Sequence, residues 1–397
     1  MRQNQPARLK TKRKQMLMPD VSTMYNLDNL FQPFSCGSLD LANRIVLAPM
    51  TRMFSPGNIP GDDVAAYYRR RAENGVGLIV TEGTWINCAG AGNIPDVPNF
   101  HGDQALAGWK RVADEVHAAG GKIAPQLWHT GLCAWEGGET VEMLSTSDIS
   151  HKKSPSGYAA AGKQVKEGMT GTEVEHLIEA YGEGAADAKR LGFDAIEIHA
   201  AHGYLVDQFF WGETNKRSDR WGGKTLAERA TFGADLVRAC RAAVGPDFPI
   251  LFRFSQWKLQ DYSARLTSDP AELEAMLGVL VDAGVDIFHA SQRRFWEPEF
   301  EGSPLNLAGW TKKLSGKPSI TVGSVGLELD FLQTFGAKQD DGAIRFDQLM
   351  EMFDRGDFDL VAIGRVLLAD PDWLNKIRDG RLEELKPYSA EAMKTLY

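Results

Sequence analysis

The sequence predicts an α/β fold, a (β/α)8 TIM barrel in a single domain with long loops on its catalytic face. Three observations predict it. Eight short β-rich runs recur along the chain, and each is continuously apolar rather than alternating, as expected of parallel strands covered on both faces. Stretches with apolar residues at helical spacing lie between these runs. Glycine-rich turns follow the last two runs, where this fold usually cradles a phosphate. The competing open doubly wound sheet calls for G-x-G-x-x-G after its first strand. The first run here ends in Ala48-Pro-Met-Thr-Arg52, so that alternative is set aside.

Strands are expected over residues 45–50, 78–83, 122–129, 193–200, 249–255, 286–291, 318–323 and 360–364. Between the second and third, Leu106, Trp109, Val112 and Val116 form one helical face within 105–119. Thr172-Glu-Val-Glu175 has the form of a capping box. It opens a helix whose stripe runs from Val174 through Leu177, Tyr181 and Ala185 to Leu191, closed by Gly192. Thr225-Leu-Ala-Glu228 is a second box. Asp269-Pro-Ala-Glu272 is a third, with Pro270 in the first turn and Gly284 at the end. The longest connections, 84–102, 130–171 and 292–306, each follow a strand and so belong to the catalytic face. Residues 1–25 read as a disordered basic tail, 26–385 as the barrel and 386–397 as a C-terminal tail.

Composition narrows the function. Net charge is −9. Residues 1–19 carry six basic residues and no acid, so the remaining body is more acidic still. Such a body is unsuited to nucleic acid, which is bound through basic patches. No apolar run approaches the roughly 20 residues that cross a bilayer, and no signal peptide is evident; a cytoplasmic location is expected. Cys36, Cys88, Cys133 and Cys240 are scattered without zinc or iron–sulfur spacing and read as free thiols.

The polar residues at the strand ends form a coherent set. Pro49, Met50, Thr51 and Arg52 follow the first strand; Thr81, Glu82 and Gly83 end the second; Gln126, Trp128 and His129 end the third. The fourth runs into His199-Ala-Ala-His202-Gly-Tyr204, and the fifth carries Arg253. Two imidazoles can donate hydrogen bonds to one ligand oxygen while a phenol supplies a proton. A zinc pair or two solvated loop histidines is the other reading of that motif taken alone. Gly323-Ser324 and Gly364-Arg365, after the last two strands, suit a phosphate, although glycines there can also serve tight turns. Gln126 could equally be a satisfied core amide, Arg253 a partner of Glu197 or Asp261, and Trp128 plain packing. Phe295 and Trp296, in the loop after the sixth strand, suit either a substrate lid or a staple that holds the loop down.

Together these pieces resemble the Old Yellow Enzyme family of FMN-dependent NAD(P)H:flavin oxidoreductases, the ene-reductases. The matching segments are Ala48–Arg52, Pro125-Gln-Leu-Trp-His129, His199–Phe210, Asn215–Asp219 with Trp221-Gly-Gly223, Arg253, Gly323-Ser324 and Gly364-Arg365, covering roughly residues 26–380 in order. The resemblance implies non-covalent FMN, with NADPH or NADH as reductant. It implies that Pro49, Met50, Thr51, Gly83, Gln126 and Arg253 surround the flavin and ribityl chain, while Gly323, Ser324, Gly364 and Arg365 hold the phosphate. It further implies that His199 and His202 bind the activating oxygen of an α,β-unsaturated carbonyl, that Tyr204 donates the proton, and that Trp128, Phe295 and Trp296 shape the substrate side. The expected partner is a small molecule, with no metal, and a monomer or homodimer is expected. Asp207, Trp211, Trp221 and the stretch Ser255–Tyr262 depart from the usual family wording, which bears on the substrate rather than the cofactor. An N-demethylase of a small methylated amine is the alternative, using a cage built from Trp296, Glu297 and Glu299. A non-catalytic FMN-binding protein and a zinc-dependent barrel hydrolase are the remaining contenders.

Overall fold

In the computed structural model, which describes residues 27–133, 168–327 and 345–397, a short antiparallel hairpin precedes eight parallel strands. The hairpin pairs β1 (Phe34–Cys36) with β2 (Leu39–Leu41). The parallel strands are β3 (Ile45–Leu47), β4 (Leu78–Trp85), β5 (Lys122–Trp128), β6 (Ile196–His202), β7 (Ile250–Lys258), β8 (Ile287–Ser291), β9 (Ser319–Val322) and β10 (Leu360–Ile363). Each pairs with the next, and β10 pairs back onto β3, closing the barrel. The expected fold and all eight expected strands are present.

The continuous apolar runs have a simple cause. Side chains alternate between the two faces of a strand, and here both faces are dry. Val46, Leu78, Val80, Ala124, Leu251 and Ile320 pack in a cluster with the hairpin residues Phe34, Leu39 and Leu41. Their neighbours Ile45, Leu47, Ile79, Ile123, Phe252 and Phe254 belong to a second cluster shared with the helices. The hairpin therefore plugs one end of the barrel. It was not foreseen from the sequence. Its turn residue Gly37 has φ +56, and a Cβ there would stand 2.4 Å from the Asp247 carbonyl oxygen, so only glycine suits this approach.

Two capping expectations need adjustment. The box of the helix Gly171–Leu191 lies two residues earlier than expected: Thr170 accepts from the Glu173 N–H, and the Glu173 carboxylate accepts from the Thr170 N–H. Starting at Thr170 leaves Glu173 at the third helical position, where its side chain can reach back. Glu272 also departs from box geometry. Its carboxylate bonds the Thr267 hydroxyl at 2.7 Å, and Asp269 alone caps the helix Pro270–Ala283. The Thr225/Glu228 box and the left-handed caps at Gly192 and Gly284 are as expected.

Irregular pairing near the site matters most. Between β6 and β7 the register passes from Ala200↔Phe254 to His202↔Lys258, so β7 spends extra residues there. The bulge keeps β6 paired two residues beyond its expected end, to His202, and re-aims the chain at that point. His202 itself takes φ +67, a left-handed conformation in which histidine is one of the better-tolerated residues. Residues 386–397 lie against the barrel: the Arg52 guanidinium donates to the carbonyls of Ala392, Met393 and Thr395. The expected tail 1–25 and most of the connection 130–171 fall outside the described residues. Among those described, no helix is long and apolar enough to cross a membrane, and the four cysteines are unbridged.

Candidate active site

The C-terminal ends of the barrel strands surround a cavity of about 460 Å³. It is lined by Pro49, Met50 and Thr51 from the β3 end, Gln126 and Trp128 from β5, and His199, His202 and Tyr204 from β6 and its loop. Arg253 of β7, the Gly323-Ser324 turn after β9 and the Gly364-Arg365 turn after β10 complete that set. The size is within the range of small-molecule and cofactor sites. Its charge is unlike the chain as a whole. Four arginines line it (Arg52, Arg253, Arg293 and Arg365), and no carboxylate does among the described residues, although the chain carries −9.

At one end, Arg365 donates to the Ser324 hydroxyl at 3.1 Å, which joins the two turns into one cradle. Gly323 has φ +139, and a Cβ there would fall 2.6 Å from the Gln292 carbonyl oxygen. The tight backbone thus accounts for the glycine, and the guanidinium beside it suits a phosphate.

The floor holds a buried polar network. Gln126 donates its amide nitrogen to Glu197 at 2.7 Å, and His289 meets the other oxygen of Glu197 at 2.6 Å. A carboxylate accepts only, so Gln126 must turn its NH2 to Glu197 and leave its carbonyl oxygen to the cavity. Burial pushes the Glu197 carboxyl up, but His289, Arg253 and Gln126 together hold it below the usual value, so it is ionised. Gln126 is thus anchored in the core through nitrogen and also lines the cavity. Arg253 is 7 % exposed, donates weakly to Ser291 at 3.4 Å, and has a buried Nε without a partner.

At the other end three rings meet. His199 and His202 lie edge to face with centroids 5.2 Å apart, and Tyr204 meets His199 edge-on at 5.1 Å. Trp128 stacks on His199 at 5.8 Å and takes the edge of Tyr204 at 4.9 Å. The Ala201 N–H donates to Nδ1 of His199, so the ring proton of His199 is on Nε2, free to face the cavity. Burial, reinforced by Arg253 and other neighbouring cations, pushes both imidazoles well below their ordinary range, so both are neutral. Beneath the loop, Lys258 and Asp207 form an ion pair at 2.7 Å with both side chains fully buried. Asp207 also accepts the Gly203 N–H at 2.6 Å.

Three expected residues stand elsewhere. Gly83 lies behind Trp128, where a Cβ would fall 2.4 Å from the indole, so it makes room for that ring rather than lining the cavity. Phe295 is buried: its N–H donates to the Gly323 carbonyl, and its own carbonyl accepts from Asn306. Trp296 packs edge-on against Phe295 beneath the Arg345 guanidinium. Neither lines the cavity. His129 is buried, pushed down to about 3 by burial, and accepts the Gly131 N–H. Cys133 is a buried thiol beside the Gly203 carbonyl. The sequence reading missed Trp257, Tyr262, Ser291, Arg293 and Met393, which all line the cavity. Trp257 and Tyr262 fall in the Ser255–Tyr262 stretch, whose departure from the family wording bears on the substrate; Ser291 had a signal of its own. It is two residues from His289 on β8, so the two share a face.

Glu82 holds the Thr51 segment in place. Its carboxylate accepts the N–H groups of Arg52 at 2.8 Å and Met53 at 3.3 Å, and its other oxygen is buried without a partner. Burial raises it to about 7. Because the folded value is above the ordinary one, its contribution is complete below about pH 4.5 and is lost as pH rises through about 7. That is worth on the order of 3 kcal/mol. Chemical denaturation at pH 5 and pH 8 is expected to show that difference in the wild type and a flatter profile in Glu82→Gln. Identical profiles would refute the assignment.

Comparison with known proteins follows the same lines. The sequence pattern of the NADH:flavin oxidoreductase / NADH oxidase family matches residues 29–384. The chain belongs to this family, and it is an FMN-type oxidoreductase. It is 32 % identical over 372 residues to an NADH oxidase of Thermoanaerobacter brockii, covering 91 % of this chain and 52 % of that protein. It thus spans about half the length of that relative. It is also 32 % identical over 369 residues to 12-oxophytodienoate reductase 7 of Oryza sativa subsp. japonica, covering 88 % of this chain and 87 % of the relative. Among solved structures, morphinone reductase in complex with tetrahydroNAD superposes with a TM-score of 0.74 at 28 % identity, over 92 % of this chain and 94 % of the other. The resemblance noted in the sequence is borne out. The cavity suits FMN: an arginine-flanked cradle for a phosphate, a carbonyl acceptor at Gln126 for a ring N–H, and the unpartnered Nε of Arg253 beside them.

Proposed function

We propose that this oxidoreductase reduces the activated double bond of an α,β-unsaturated carbonyl compound or similar alkene, with NADH or NADPH as the electron source. The observation that carries it is the cluster of His199, His202 and Tyr204 at one end of a cavity that, among the described residues, bears arginines and no carboxylate. The relatives, an oxophytodienoate reductase and a morphinone reductase, support a reductase of this kind, and the tetrahydroNAD in complex with the latter supports a nicotinamide reductant.

FMN, when bound, supplies the hydride-transfer chemistry. The protein's part begins with the substrate oxygen. His199 donates to it from Nε2, and His202 adds a second donor. Both rings are neutral, so they act as hydrogen-bond donors that stabilise charge developing on the oxygen without giving up a proton. The Tyr204 hydroxyl delivers the proton to Cα. Arg253 offsets negative charge that gathers on the cofactor side, and its burial strengthens that effect. Trp128 walls the space beside His199 and Tyr204. Gln126, Thr51, Met50 and Pro49 would hold the ring system of the cofactor, and Gly323, Ser324, Gly364 and Arg365 would hold its phosphate.

The amine demethylase reading draws no support. Glu299 is ion-paired with Arg265 and Glu297 with Arg294, and neither lines the cavity. A cavity lined by arginines, with no carboxylate among the described residues, is a poor host for an ammonium group. The test is anaerobic mixing of the holoenzyme with two panels. Enones are expected to reoxidise flavin that NADH or NADPH has reduced, and N-methyl amines to leave oxidised flavin unchanged. Bleaching by amines together with no reoxidation by enones would overturn the proposal.

A further inference from the structure

Ser291 ends β8 on the cavity wall, and its hydroxyl is 2.7 Å from Nε2 of His202. The same oxygen receives Nη2 of Arg253 at 3.4 Å. A guanidinium only donates, so Arg253 occupies an acceptor position on that oxygen and leaves the hydroxyl proton to be donated. Among the described residues, the acceptor it meets is Nε2 of His202. If instead His202 carried its proton on Nε2, Ser291 would receive two donors and its own O–H would have no acceptor among the described residues. Leaving a buried donor unmade costs about 1–3 kcal/mol, which selects the first arrangement.

We propose that Ser291 is a positioning residue that holds His202 in the tautomer protonated at Nδ1, so that the imidazole presents an N–H rather than a lone pair to the substrate oxygen. The substrate oxygen as target rests on the function proposed above; the tautomer does not. Further contacts limit the ring to this one arrangement. Trp257 stacks on the His202 imidazole at 4.4 Å, and Trp257 is itself tied by its indole N–H to the Ser291 carbonyl at 3.2 Å. The backbone N–H of His202 donates to the Ser255 hydroxyl at 2.8 Å, and that hydroxyl donates in turn to the Trp257 carbonyl at 2.7 Å. Nε2 is thus committed to Ser291, and Nδ1 is the nitrogen left for a ligand. His199 is set the opposite way, by the Ala201 N–H on its Nδ1. The two histidines offer different nitrogens, each fixed as a donor by a neighbour that is not itself a histidine. The pair is neutral, so each ring has a single proton to place.

Long-range proton–nitrogen correlation of holoprotein labelled with 15N-histidine reads the tautomer directly, with His202 assigned by the signals missing from His202→Asn. The wild type is expected to show Nδ1 protonated in His202 and Nε2 protonated in His199. Ser291→Ala is expected to shift His202 toward the Nε2-protonated form, and Ser291→Thr, which keeps the hydroxyl, to retain the wild-type pattern. Titration with 4-hydroxybenzaldehyde, followed by its long-wavelength band with the flavin, is expected to weaken about tenfold in Ser291→Ala, the loss of roughly one hydrogen bond. A wild-type His202 protonated at Nε2 overturns the proposal whether or not the variants fold. So does an unchanged tautomer in a folded Ser291→Ala protein. Failure of enones to reoxidise the flavin, with the Nδ1-protonated form intact, would instead count against the proposed substrate class and leave the tautomer assignment standing.

Discussion

Tyr204→Phe is expected to slow enone reduction by about 10²–10⁴-fold, the usual contribution of a placed proton donor, while the NAD(P)H-driven half-reaction keeps its rate. The substitution removes one oxygen and keeps the ring. The edge contacts of that ring with Trp128 and His199 persist, so the pocket shape is preserved. Tyr204 also begins the short helix Leu205–Phe210 through its backbone, which phenylalanine serves equally. Separate stopped-flow measurement of flavin reduction and of its reoxidation by an enone checks the prediction. A reoxidation rate equal to wild type would show that the proton comes from another source, with Tyr204 serving only as a wall.

Lys258→Met is expected to destabilise the protein by about 3–5 kcal/mol, the cost of stranding a buried charge. Lys258 and Asp207 are both fully buried, so neither can turn to water when the other is lost. Burial lifts the Asp207 carboxyl to about 6 even with Lys258 opposing that shift, so without the lysine it must either stay charged in a dry site or take up a proton, and both are unfavourable at neutral pH. Adding Asp207→Asn to Lys258→Met is expected to recover part of the loss, because an amide oxygen can still accept the Gly203 N–H. Denaturant unfolding of the holoproteins measures both steps. A loss below about 1 kcal/mol in the single variant, the range of exposed ion pairs, would refute the account. Since Gly203 lies between His202 and Tyr204, the single variant should also raise KM for the enone more than it lowers the rate of flavin reduction.

The barrel was legible because its signal is local and repeated. A strand that is dry on both faces reads as an apolar run, and each helix carries its own stripe and cap. Eight such units in alternation admit few folds. The Ser324–Arg365 end of the cavity was legible for a related reason. Gly323-Ser324 and Gly364-Arg365 follow the last two strands, so order along the chain alone put them together. Boundaries were less secure. The cap was expected at Thr172, and it is Thr170 instead, with Glu173 closing the box. The sequence also offered no way to decide between a lid and a staple at Phe295 and Trp296, because their roles depend on Gly323, Asn306 and Arg345, all distant in the chain or across a strand.

The sequence by itself determined the fold and the family, and it drew attention to Gly323-Ser324, Gly364-Arg365, His199, His202 and Tyr204, since these rest on residue type and on order along the chain. Tertiary structure alone decided how they are held. Lys258 meets Asp207 across 51 positions and Ser291 meets His202 across 89. Both contacts depend on a bulge in β7 that shifts the pairing after Phe254 and carries side chains off the simple alternation of a strand. Periodicity predicts which face a residue occupies while register holds. Where register breaks, the partner of a buried charge and the proton of an imidazole are set by whichever groups the closed barrel brings within hydrogen-bond distance.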